Sequence, residues 1–105
     1  MRILFDQGTP LPLRHLLIGH DVETAFEKGW ATLDNGDLLS AAEDASFQIL
    51  VTTDQNLRYQ QKIQNRRIAI LVLPTTRWPQ IRVHAPDVVA AVDAIVPGEY
   101  REVRW

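Results

Sequence analysis

Short apolar runs alternate with helix-patterned stretches along the chain. Residues 2–5 (RILF) read as a buried strand. Thr9 followed by Pro10 has the form of a helix N-cap with proline at the first helical position. The helix it opens carries Leu13, Leu16 and Leu17 on one face, and Gly19 is placed to end it. Residues 21–25 (DVETA) predict a second strand, and residues 27–36 a loop with Asn35-Gly36 as its turn signal. A helix over 37–47 would bury Leu38, Ala41, Ala42 and Ala45. The clearest strand is 48–52 (QILVT), which closes on Asp54; a helix over 55–64 places Tyr59 and Ile63 at i, i+4 spacing. Residues 67–73 (RIAILVL) are almost continuously apolar, as a strand covered on both faces must be, and Pro74 ends them. Trp78-Pro79 opens a last helical region, clearest over 86–96; Pro97-Gly98 breaks it, and 99–105 forms a final edge strand.

This order predicts an α/β fold: a single-layer, mostly parallel sheet of four to five strands with helices on both faces. A chain of 105 residues, 46% hydrophobic and 23% charged, suits one globular domain spanning 1–105. Cysteine is absent, which excludes a disulfide scaffold, thiol catalysis and thiolate zinc sites. No apolar run approaches the roughly 20 residues of a membrane span. The opening MRILFDQGTP meets Asp6 too early for a signal peptide, so a soluble, cytoplasmic protein with no membrane partner is expected.

Charge is uneven beneath the net value of −2. Residues 1–54 sum to −6, residues 55–86 hold six bases and no acid, and residues 87–105 sum to −2. An acidic stretch followed by a basic one suits metal ions beside a phosphate backbone; two solvated faces of opposite sign account for it equally well. In parallel sheets ligands bind beyond the carboxyl ends of the strands. Asp6 follows the first strand, Asp54 follows QILVT, and Asp37 starts the helix leading into it. Three carboxylates gathered at that edge would repel one another unless a cation joined them, and an oxygen-only set suits Mg²⁺ or Mn²⁺. Taken singly, Asp37 and Asp54 sit where helix caps belong, and Asp6 could shape a turn.

ILFD, NGDLL, ILVTTDQNL and RRIAILVL together resemble a small PIN-like domain of the short bacterial branch, over nearly the whole chain. ILVTTDQNL fits that group's T-x-D-x-x-hydrophobic signature. The resemblance implies a three-layer α/β/α fold and a metal-dependent endoribonuclease, the toxin of a toxin–antitoxin pair. It also implies RNA as substrate and an antitoxin protein as partner. Asp6, Asp37 and Asp54 would hold Mg²⁺ or Mn²⁺, with Thr52 and Asn56 in support. Gln7 and Asn56 stand where many relatives carry further acids, which points to a single ion recruited with substrate, or to an inactive descendant.

Arg58, Lys62, Arg66, Arg67 and Arg77 are the candidate nucleic-acid contacts, Arg58 and Lys62 sharing a helix face at i, i+4; bases near a helix C-terminus serve the dipole as well. The three histidines and three tryptophans read as surface or packing residues, and EYREVRW offers an edge for a second copy. Two other readings fit the pattern: a phosphoacceptor receiver domain with Asp54 as acceptor, and a PIN-like shell that binds without catalysis.

Overall fold

In the computed structural model the apolar runs form one five-stranded sheet with every neighbouring pair parallel. It describes the backbone of residues 1–105 and all side chains except that of Lys62. The strands are β1 (Arg2–Phe5), β2 (Asp21–Thr24), β3 (Ile49–Thr52), β4 (Ala69–Val72) and β5 (Tyr100–Glu102), in the order β2-β1-β3-β4-β5. The helices are α1 (Asn35–Asp44), α2 (Trp78–Val83) and α3 (Ala85–Ala94), with 3-10 turns at Leu11–Leu16, Leu57–Tyr59 and Gln61–Ile63. This is the expected α/β architecture, with the sheet wholly parallel.

Strand alternation divides the core. Ile3, Phe5, Ile49, Val51, Ala69 and Leu71 face one layer with Leu13, Leu17, Ile81, Val88 and Val92. Leu4, Leu50, Ile70 and Val72 face the other with Leu38, Leu39, Ala42 and Leu57. The central strands β3 and β4 are buried at every position because both faces are covered. Register keeps the rows straight: Leu4 lies opposite Leu50, and Leu50 opposite Ile70.

Three local predictions need correction. Thr9 does not cap a helix, because its hydroxyl donates to the Val51 carbonyl at 2.9 Å. The segment after it tightens into a 3-10 turn instead. The second helix starts earlier and ends earlier than 37–47. Asp34, not Asp37, is its N-cap, accepting the Asp37 N–H at 2.8 Å. At the other end Ser46 takes φ 67° and Phe47 N–H returns to the Ala42 carbonyl at 2.9 Å, closing the helix in a Schellman arrangement. Ala41 and Ala45 are only half-buried, and Leu39 takes the core position.

The helix over 55–64 is two separate 3-10 turns with Gln60 extended between them at φ −91°, ψ 130°. Asp54 draws the Asn56 N–H onto its own carboxylate at 2.9 Å, an Asx turn that competes with helix nucleation. The i, i+4 pairing of Arg58 with Lys62 therefore has no continuous helix beneath it; the Lys62 side chain lies outside the described residues. Among the described residues no helix is long and apolar enough to cross a membrane.

Candidate functional site

Parallel pairing carries the residues after β1, β3 and β4 to one rim of the sheet. Thr52, the last residue of β3 and 1% exposed, links the two acids that follow these strands. Its hydroxyl donates to Asp6 Oδ2 at 2.9 Å and accepts the Asp54 backbone N–H at 3.1 Å. Asp6 Oδ1 takes the Gln7 N–H at 2.7 Å. Asp54 Oδ1 takes the Asn56 N–H, and its Oδ2 takes the Asn35 side-chain amide at 3.2 Å. Asp6 and Asp54 are thus gathered at one edge, with Thr52 and Asn56 beside them.

All four carboxylate oxygens are held by neutral donors. Among the described residues no arginine, lysine or histidine pairs with either acid. Each oxygen keeps acceptor capacity beyond its one hydrogen bond. Such a donor set fits a hard cation: ligating carboxylates are themselves hydrogen-bonded, and Mg²⁺ takes one or two of them plus substrate phosphate.

Asp37 is exposed, at the third position of α1, and its N–H is spent on the Asp34 cap. Among the described residues no three acidic or histidine side chains cluster closely enough to hold a metal ion. It is Asn35, on the same first turn, that reaches Asp54. Asn35-Gly36 had the look of a turn, yet Asp34 three residues before Asp37 is the spacing of a capping motif and would have placed Asn35 on the helix.

The rim continues through small residues. A Cβ on Gly8 would lie 2.5 Å from Thr53 Oγ1, so the loops after β1 and β3 meet this closely because residue 8 lacks a side chain, while Thr76 Cγ2 stands at ordinary contact distance, 3.7 Å from that position. Arg77 is exposed beside them, its N–H on Thr75 Oγ1 at 3.1 Å.

The other basic candidates divide. Arg58 pairs with Glu102 at 3.3 Å and donates to the Tyr59 hydroxyl at 2.7 Å. Arg66 is drawn away from the rim to Glu43, Ser40 and the Gly36 carbonyl. The Arg67 guanidinium is 85% exposed on that same side. Glu102, half-buried, also accepts from Tyr100 Oη at 3.0 Å and from Arg104. The Tyr100 bond together with Arg58 and Arg104 holds the Glu102 carboxyl below its ordinary range. Burial, the bond to Glu102 and the negative charges of Glu102 and Asp54 push the Tyr100 phenol up to about 12. Nothing in the sequence marks Tyr100 and Glu102, because an edge strand of three residues carries no motif.

His84 stacks on Trp105 with centroids 4.6 Å apart and Trp30 packs edge-on to Phe47, as expected of packing residues. No protein-family model, no curated protein and no solved structure matches this chain.

Proposed function

We propose that this protein is a divalent-metal-dependent phosphodiester hydrolase acting on RNA, with Asp6 and Asp54 as its metal-holding carboxylates. The observation that carries the reading is the Thr52 bridge between two acids that only neutral groups hold. Asp37 stands outside this pair, exposed on α1, where Asn35 is the residue that reaches Asp54. Thr52 fixes Asp6, while Asn35 and the Asn56 N–H fix Asp54, so neither carboxylate has to reorganise when the ion arrives with its phosphate. When bound, Mg²⁺ or Mn²⁺ supplies Lewis-acid stabilisation of the phosphoryl group and eases deprotonation of the attacking water. Arg77 is exposed beside the Gly8–Thr53–Thr76 rim to meet the charge of a phosphodiester.

The test is cleavage of single-stranded RNA by purified protein with Mg²⁺ or Mn²⁺, against Asp54→Asn. Cleavage that needs the metal and falls by at least about a hundredfold in the variant upholds the reading, since losing even a supporting partner of a metal ligand costs about 10–100-fold. Equal cleavage by both proteins overturns it. The order β2-β1-β3-β4-β5, with Thr75 and Thr76 after β4, also suits a phosphoacceptor module with Asp54 as acceptor. A phosphate adduct on Asp54 after incubation with a small phosphodonor, read by mass, would favour that second reading.

A further inference from the structure

A cleft of about 320 Å³ opens between the start of α1 and the junction of the two 3-10 turns, lined by Asp34, Asn35, Gly36, Gln60 and Gln61. We propose that it is a nucleobase subsite for single-stranded RNA, in which the Gln60 and Gln61 amides read a base edge and Tyr59 beside them stacks a neighbouring base. The proposal rests on the RNA reading above and names where the strand would lie.

The lining has the right chemistry for this occupant. Three of the five residues end in carboxamides, which offer both a donor and an acceptor, the complement of a base edge. Among the described residues no apolar side chain lines the cleft, so a peptide anchor would gain little by entering it. Its connection to the acids is direct. The Asn35 side chain both borders the cleft and donates to Asp54 at 3.2 Å, so a base seated there keeps its own phosphates near the Asp6–Asp54 pair.

Tyr59 is 71% exposed yet held in place. The Arg58 guanidinium carbon lies 4.8 Å from its ring centroid, Arg58 donates to its hydroxyl, and Glu102 anchors Arg58 from β5. Leu57, 1% exposed, pins the same turn into the core. A fixed, exposed aromatic flanked by arginine is a stacking platform whose ordering cost has already been met. The acid-free stretch 55–86 runs through this turn, which favours a polyanion over a basic partner.

The proposal is tested by fluorescence anisotropy in EDTA, comparing a short labelled single-stranded RNA with an abasic strand of equal length. The wild type should bind the base-bearing strand about tenfold or more tightly, the scale of one stacked base. Tyr59→Ala/Gln61→Ala should lose that preference while keeping its melting temperature, because both side chains are exposed. Equal binding of the two strands by the wild type, or a preference that survives the double substitution, overturns the subsite. Failure of the hydrolase reading is seen separately: base preference without Mn²⁺-dependent cleavage removes the chemistry and leaves the subsite, and cleavage without base preference does the reverse.

Discussion

The two ends of the sheet treat their carboxylates in opposite ways. At the amino end Glu43, its side chain 13% exposed, meets Arg66 at 2.9 Å and takes the backbone N–H groups of Arg67 at 2.7 Å and Ile68 at 3.3 Å. A cleft of about 350 Å³ lies there, lined in part by Glu43, Phe47, Gln48, Arg67 and Ile95. It is slightly the larger of the two clefts, yet its acid is already neutralised. At the carboxyl end the Thr52 hydroxyl joins the Asp6 carboxylate to the Asp54 backbone N–H, and neither carboxylate meets a cation among the described residues. An acid matched by an arginine and two N–H groups holds the start of β4 in place. Acids held only by neutral donors leave their charge for something else. The difference separates a structural carboxylate from a candidate chemical one more sharply than burial does.

The largest expected effect breaks the carboxyl end. Asp6→Asn should lower RNA cleavage by at least about a hundredfold, the loss also expected of Asp54→Asn. Its melting temperature should stay level or rise, since one of two unneutralised neighbouring charges is gone. A clear loss of stability, beyond about 0.5 kcal/mol in urea unfolding, would place Asp6 with Glu43 as a structural acid.

Glu43→Gln should do the opposite. Stability should fall by about 2 kcal/mol in urea unfolding, because Arg66 loses its charge partner where little solvent reaches it, while cleavage is retained. The pH dependence follows in sign. Burial opposes ionisation of Glu43, but the bonds from Arg66, Arg67 and Ile68 outweigh it and lower its pKa from the ordinary 4.5. Its contribution is therefore present above that ordinary value and lost as pH falls through the lowered one. Acid unfolding monitored by circular dichroism should show this limb in the wild type and not in Glu43→Gln.

Thr52→Val sharpens the comparison within the rim. It keeps the buried shape but removes the donor to Asp6 and the acceptor for Asp54 N–H. Cleavage should drop about tenfold and stability by about 1 kcal/mol, read in the same two assays.

The smallest effect concerns Tyr100. With its phenol pushed up to about 12 from 10.0, stability linked to it is complete below pH 10.0 and is lost as pH rises toward 12. Phenolate absorbance should show the late Tyr100 transition in the wild type, and that transition should be missing in Tyr100→Phe.

Much of this arrangement is legible in the chain. ILVT and AILV announce strands covered on both faces, because a parallel sheet buries every residue of its central strands. Once those strands are parallel, Asp6 and Asp54 must share a rim, which topology alone ensures. The charge pattern shows an acid-free stretch but not its partners, since Arg66 reaches Glu43 across 23 residues and Arg58 reaches Glu102 across 44. Helix propensity misleads over 55–64 because one carboxylate, on Asp54, captures the N–H that nucleation needs.

The sequence by itself therefore determined the layers, the strands and the rim on which two acids stand, because periodicity and strand burial are local properties of the pattern. Only the tertiary structure decided which acids are neutralised, that Asn35 rather than Asp37 reaches Asp54, and that Thr52 ties the pair together. Those outcomes depend on side chains from distant segments competing for the same few donors, and no local pattern records who wins.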